Sequence, residues 1–253
     1  MTENESNGMK NGMWRGLFER WFSPEGYLGI HLVAGFCIAA LAAHFFTEIT
    51  DEVFFELTSP IADSRAQAFV QAISSPGLTS VMRMITSTGD PIVMGLLSVI
   101  VFLVLLTRRS RRRLYAFGSI MIGGMLLNLL LKDIFHRNRP IGVAHLVKAG
   151  GYSFPSGHSM GSMLFYGALA YVLFFSTDRQ WFARIAGVLV CVLAAFLIGA
   201  SRVYLGVHYI TDVAAGFTAA LCWIGICISA TEGWVRLRDR RRRRIAKNGG
   251  VGH

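Results

Sequence analysis

Charge is scarce in this sequence. Asp, Glu, Lys and Arg make up 16% of its 253 residues, where a soluble domain carries about a quarter, so a water-soluble globule is not the expectation. Negative charge is the scarcer kind, with 15 acidic residues against 25 basic ones and a net charge of +10. A basic surplus can mark a nucleic-acid partner. Here the basic residues sit in short clusters beside apolar runs, the positive-inside signature, and no nucleic acid is expected. Cysteine is rare as well. Cys37, Cys191, Cys222 and Cys227 fall inside apolar runs with no C-x-x-C pair and no zinc spacing, so they read as small packing residues. A cleavable signal peptide is not expected either, because charges and aromatics interrupt the start and no apolar core with a small-residue cleavage site follows.

What is abundant is apolar side chains, 53% of the total, in blocks long enough to cross a bilayer, which takes roughly 20 residues of helix. The expected fold is all-α: a polytopic membrane bundle of six transmembrane helices near residues 27–46, 91–107, 114–131, 159–175, 185–200 and 210–230. Residues 1–26 read as a polar tail followed by a short interfacial helix, on which Trp14, Leu17, Phe18, Trp21 and Phe22 share one face. Residues 27–231 form the six-span domain. Within it, 47–90 carry acidic groups and apolar residues at helical spacing (Ala68, Phe69, Ala72, Ile73), as short amphipathic helices over part of the bundle mouth would. Asp90-Pro91 reads as an N-cap followed by Pro at the first helical position. Residues 232–253 are a basic tail.

Six spans place both termini on one side. Five arginines in 108–113 pin that turn to the cytoplasm, since each would cost about 2.5–3.5 kcal/mol at the bilayer centre. The proposed cytoplasmic parts hold 18 of the 25 Lys and Arg residues. The expected setting is therefore the cell (inner) membrane, multi-pass, with both termini cytoplasmic and the opposite bundle end facing the outside or periplasm. The basic tail is a topogenic anchor that can touch anionic headgroups.

Three polar islands fall on that outer end: K-D-I-F-H-R-N-R-P (132–140), S-F-P-S-G-H-S (153–159) and S-R-V-Y-L-G-V-H-Y-I-T-D (201–212). In the third, His208 and Asp212 are four apart, a spacing that shares one face of a helix. A carboxylate there can hold the proton of one imidazole nitrogen and leave the other lone pair free. The same stretch also fits a ladder of Arg, His and Asp that merely anchors a helix at the membrane edge. Taken together, the islands are more pointed. Lys132, Arg139 and Arg202 are three cationic anchors. Ser156 offers a hydroxyl, Gly157 permits close backbone approach, and a helix start there presents N–H groups to an anion. The fitting guest is a group with several anionic oxygens. His208 can attack phosphorus in line, His158 can protonate the leaving oxygen, and the cations stabilise the transferring group, giving a phosphohistidine that water then cleaves. Asp133, His136, Arg137, Asn138 and Lys148 lie nearby and read as a solvated rim or as contacts to a second phosphate or headgroup.

The patterns K-x6-R-P, P-S-G-H and S-R-x5-H-x3-D, in this order, resemble the three signature motifs of the type 2 phosphatidic acid phosphatase superfamily. The resemblance covers about residues 90–230 and fits its membrane branch. It implies phosphate binding by Lys132, Arg139, Ser156, Gly157 and Arg202, with His208 as nucleophile, Asp212 as its partner, His158 as general acid, and neither metal nor cofactor. The implied substrate is a lipid phosphate or pyrophosphate at the outer leaflet, in contact with membrane lipids. Undecaprenyl and other prenyl pyrophosphates, phosphatidic acid and phosphatidylglycerophosphate all present a tail and a terminal phosphate. A phosphotransferase with the same intermediate, or a non-catalytic lipid-binding or transport protein, are the competing functions. Neither substrate choice nor oligomeric state is encoded in a motif.

Overall fold

The computed structural model describes residues 24–55, 60–141, 144–175 and 181–249. The expected polar tail and interfacial helix lie outside the described residues. Among those described there are eight helices and no strand: α1 (Pro24–Phe54), α2 (Ile61–Ile73), α3 (Pro76–Thr88), α4 (Pro91–Thr107), α5 (Arg111–Phe135), α6 (Gly157–Phe174), α7 (Trp181–Tyr204) and α8 (Ile210–Gly249).

Local chemistry sets several of the boundaries. Asp90 caps α4 as expected, its Oδ1 accepting from the Ile92 N–H at 2.9 Å, with Pro91 in the first turn. Ser75 and Pro76 start α3 in the same way. α5 stops where His136 turns left-handed (φ 45°) and its N–H closes back on the Lys132 carbonyl at 3.3 Å. Ser156 caps α6.

α6 sits at the centre, packed by α4, α5, α7 and α8, while α1 runs along α8. Phe117, Ile120, Met160, Leu164, Ile198 and Ala220 form the middle of the core. The outward faces of α1, α4, α5 and α7 expose Phe36, Leu96, Leu126 and Leu193 among many other large apolar side chains. So broad an apolar surface is a liability in water and suits lipid. By length and composition, α5, α7 and the stretches Leu32–Phe54 and Ile210–Arg238 can cross a membrane; α3 and α4, bent by 46° at their junction, add a fifth if taken as one broken span.

Two boundaries differ from expectation. α1 continues eight residues past Phe46, because its acidic Glu48 and Asp51 face outward while Phe46 and Phe54 turn inward. Phe54 stacks on Phe135 at 5.0 Å and meets Phe154 edge-on at 5.2 Å, so α1 supports the loop before α6. And α8 runs on through Glu232 into the basic segment without a break.

The two ends of the bundle differ in chemistry. At one end the start of α5 meets α8 through Arg112 and a fully buried Glu232, which also accepts from the Tyr171 hydroxyl at 3.2 Å. At the other end α5 finishes and α6 begins, and α7 hands over to α8. There, α8 and the first turn of α6 touch backbone to backbone: a Cβ on Gly216 would stand 2.9 Å from the Ser156 carbonyl oxygen and 3.1 Å from the Met160 nitrogen. Neither atom can swing aside. Gly216→Ala is expected to cost about 1–3 kcal/mol and to lower the unfolding temperature in detergent. An unchanged transition would mean that the two helices are free to separate.

Candidate active site

The site is built from chain ends that the bundle gathers. α8 begins at Ile210 with Tyr209 as the preceding cap residue, which makes Asp212 the third residue of the first turn. Its carboxylate reaches back to accept from the Tyr209 N–H at 2.9 Å, the N-terminal half of a capping box. His208 is therefore not on the helix, as a shared helical face would have it. It lies in the turn after α7, and the turn rather than helical pitch brings its Nδ1 to 3.4 Å from Asp212 Oδ2.

Ser153 completes that contact. Its hydroxyl donates a short hydrogen bond to Asp212 Oδ2 and lies 3.3 Å from His208 Nδ1. With the Ser153 proton spent on the carboxylate, His208 Nδ1–H has two acceptors in reach. On the far side of the ring, Arg139 Nη1 stands 3.3 Å from Nε2. A guanidinium can only donate, so Nε2 carries the lone pair. Burial, with smaller contributions from Arg139 and Arg202 and against the pull of Asp212, takes the His208 imidazole down to about 4. The ring is thus neutral, with its free lone pair turned toward Arg139, throughout the neutral pH range.

The cations around this lone pair share a property. Arg139 donates to the carbonyls of Val207 and Gly150 at 2.7 Å and of Gly151 at 3.1 Å. Lys132 donates to the Tyr152 carbonyl at 2.8 Å. Arg202, buried, donates to Thr86 Oγ1 at 2.8 Å. All these acceptors are neutral, and among the described residues none of the three cations has a carboxylate in ion-pair range. Yet the three are close enough to repel one another. Buried charge is normally paired; here three like charges with neutral partners flank one imidazole, an arrangement suited to a polyanionic oxygen ligand.

α6 points its first turn at the same place. The N–H groups of Gly157 and His158 have no intrahelical acceptor. At Gly157 a Cβ would stand tightly against Asn128 Oδ1 at 3.3 Å and in ordinary contact with Lys132 Cε at 3.7 Å. Ser156 is fully buried: its Oγ accepts from the Ser159 N–H at 3.4 Å and from the Ser159 hydroxyl at 2.9 Å, and its own N–H donates to the Asp212 carbonyl at 3.0 Å. It shapes the helix start and ties it to α8. His158 faces the α3–α4 junction, its Cδ2 3.5 Å from a Cβ position at Gly89, within the field of Arg202, His208 and Arg139.

Lys132, Arg139, Ser156, Gly157, His158, Arg202, His208 and Asp212 thus come together at one bundle end. Asp133, His136, Asn138 and Lys148 are exposed, as a rim would be. Arg137 is not: it is turned inward against Asp212 Oδ1 at 2.6 Å and Asp63 Oδ2 at 2.8 Å. Ser153 stands inside the quoted motif stretch, and Thr86 and Asp63 carry no sequence signal, since their partners are 74 to 148 residues away. Beside His208, a cavity of about 100 Å³ between α2, the loop after Pro140 and the end of α7 is lined by Val70, Ala144, Leu146, Val203 and Tyr204 among others.

The model of the PAP2 superfamily matches residues 113–236. Phosphatidylglycerophosphatase B of Bacillus subtilis is 37% identical over 184 residues, covering 66% of this chain and 86% of that protein. A lipid A 4'-phosphatase of Rhizobium etli is 29% identical over 139 residues, 49% of this chain and 51% of its own length. The crystal structure of a transmembrane PAP2-type phosphatidylglycerolphosphate phosphatase from Bacillus subtilis superimposes with a TM-score of 0.64 at 31% identity, covering 75% of this chain and 93% of that one. An all-helical bundle with apolar candidate spans, an imidazole backed by a carboxylate beneath three cations, and a relative matched over most of its length lead to one conclusion: the chain belongs to the PAP2 superfamily.

Proposed function

We propose that this protein is an integral membrane phosphatase that removes the terminal phosphate from a lipid phosphate or pyrophosphate. One observation carries the reading: His208 Nε2 stands 3.3 Å from Arg139, one of a group of three cations that have no carboxylate counter-charge among the described residues.

The chemistry follows from the positions. Lys132, Arg139 and Arg202, with the first N–H groups of α6 at Gly157, hold the terminal phosphoryl oxygens, and Ser156 fixes that helix start. Nε2 of His208 attacks phosphorus as the bond to the lipid oxygen breaks. Asp212 receives the Nδ1–H and stabilises the positive charge that grows on the ring. Once the anionic substrate offsets the charge of Arg202 and Arg139 around it, His158 takes up a proton and gives it to the leaving oxygen. It then takes one from water, whose oxygen cleaves the P–N bond to release inorganic phosphate. The three side-chain cations supply the charge stabilisation that phosphoryl transfer needs, so the route uses no metal.

The setting favours a lipid. The site lies at the end of a bundle with an apolar exterior, and the named relatives include a phosphatidylglycerophosphatase and a lipid A phosphatase. The arginines of 108–113 lie at the other end, which supports cytoplasmic termini and a site at the outer leaflet of the cell membrane. We read α6 as a sixth span. It is enclosed by its neighbours and needs no continuous apolar face. Residues 27–231 are then the phosphatase domain, flanked by an N-terminal tail and a basic C-terminal segment.

Purified protein, assayed in EDTA with a panel of phosphate-labelled lipid phosphates and pyrophosphates, is expected to release label as inorganic phosphate. Label passed to a second lipid would mark a transferase instead. No release from any lipid would overturn the reading, and release that EDTA abolishes would overturn metal independence.

A further inference from the structure

Arg137 lies inside the first motif but makes none of the contacts expected of a phosphate ligand. Its Nη1 donates to Asp212 Oδ1 at 2.6 Å and to Thr211 Oγ1 at 2.7 Å, and its Nη2 donates to Asp63 Oδ2 at 2.8 Å. The Tyr209 ring covers one face of the guanidinium, 4.1 Å from ring centroid to Cζ. The ion-paired side chains are 13% (Arg137), 4% (Asp63) and 0% (Asp212) exposed. Both terminal nitrogens are committed, so an incoming phosphate would have to displace a buried carboxylate to reach them.

We propose that Asp63 and Arg137 are positioning residues for His208, acting through Asp212 and Ser153. The inference rests on the reading of His208 as nucleophile. Two routes run from Arg137 to the imidazole. Its guanidinium holds Asp212 Oδ1, which leaves Oδ2 to face Nδ1. Its backbone carbonyl accepts from the Ser153 N–H at 2.8 Å, and the Ser153 hydroxyl lies against both Asp212 Oδ2 and His208 Nδ1. Asp63 braces both partners. One oxygen accepts from the Thr211 N–H at 3.0 Å in the first turn of α8; the other accepts from Arg137 and from the Thr211 hydroxyl at 2.8 Å.

Charge shows why two carboxylates are needed. Arg137 alone against Asp212 would draw electron density away from the imidazole it is meant to stabilise. Asp63 balances that cation, so Asp212 keeps net negative character toward His208 while its orientation stays fixed. A network that is satisfied at every member stiffens a site; one left half-made is costly. Asp63 also lies on α2, whose Val70 lines the cavity beside His208. The helix that shapes one wall of the site thus also holds its base pair in place.

The test uses the full-length protein in detergent, with Arg137→Gln, Arg137→Lys and Asp63→Asn. Asp63→Asn keeps the shape and serves if Arg137→Gln fails to fold. Arg137→Gln and Asp63→Asn are expected to lower kcat about 10- to 100-fold, the scale of a small misplacement at a reacting centre. KM and the inhibition constant for inorganic phosphate should stay within about threefold, because Lys132, Arg139 and Arg202 are untouched. Arg137→Lys, which keeps the charge and one bond, should recover part of the loss. In an Asp212→Asn background, Asp63→Asn should add less than twofold, since the relay is already cut. A kcat within twofold of wild type would overturn the proposal, as would phosphate inhibition weakening in step with kcat, which marks general damage. A second readout needs no turnover. Nitrogen NMR of the His208 imidazole should show the Nδ1–H tautomer in the wild type and a mixture in Arg137→Gln; one fixed tautomer in both would refute the role even if no lipid is hydrolysed.

Discussion

Replacing His208 by glutamine is expected to lower phosphate release about 10,000-fold or more, the scale on which loss of a nucleophile is felt when binding and charge stabilisation survive. The amide nitrogen's lone pair is delocalised into its carbonyl and does not form a P–N bond. The fold should persist: Asp212, fully buried, keeps Arg137, the Ser153 hydroxyl and the Tyr209 N–H as donors, so no carboxylate is orphaned. An unchanged thermal transition would check this. Acid-labile, base-stable label on the wild-type protein after rapid quenching, absent from His208→Gln, would identify the intermediate. Release within tenfold of wild type would mean that another group attacks phosphorus. A solvent nucleophile steered by Asp212 would be the alternative to pursue.

Arg139→Lys is expected to lower kcat/KM about 100- to 1,000-fold, although the charge is kept. The magnitude is that of removing one pre-placed donor from a developing oxyanion. Three carbonyls, at Gly150, Gly151 and Val207, fix the guanidinium plane through Nε, Nη1 and Nη2, and that plane carries Nη1 to His208 Nε2. An ammonium can meet one or two of these acceptors and has no plane to orient. Arg202→Lys should be milder, because among the described residues one side-chain bond, to Thr86, sets its position. If Arg139→Lys lost less than tenfold, the backbone clamp would be irrelevant to catalysis and Arg139 would act as a diffuse positive charge.

The grouping of the proposed reacting residues was legible in the sequence because they fall in three short stretches. Lys132 and Arg139, Ser156 to His158, and Arg202 to Asp212 each lie within a dozen residues of one another, and span ends place them on one side. Apolar run lengths likewise marked the helices near Leu114–Leu131, Ile185–Ala200 and Ile210–Ala230. What was not legible depends on partners far along the chain. Asp63 is 148 residues from Thr211 and 74 from Arg137, and no spacing rule links them. Arg137 looked like rim because its neighbours in sequence are polar; only the fold turns it inward. The end of α1 was misjudged for a related reason. A run of Glu and Asp reads as an exit from the membrane, yet the contact of Phe54 with Phe135 and Phe154 keeps the chain helical.

α8 is gripped at two points by ion pairs with buried carboxylates, Asp212 to Arg137 in its first turn and Glu232 to Arg112 further along. Twenty residues of helix separate the two carboxylates, about 30 Å at 1.5 Å per residue, which is about one hydrocarbon thickness. A rod clasped at two points that far apart cannot slide or rotate without breaking a clasp. On the proposed function, His208 beside its tip therefore keeps a constant depth, and it is the substrate's headgroup that must rise or sink to meet it.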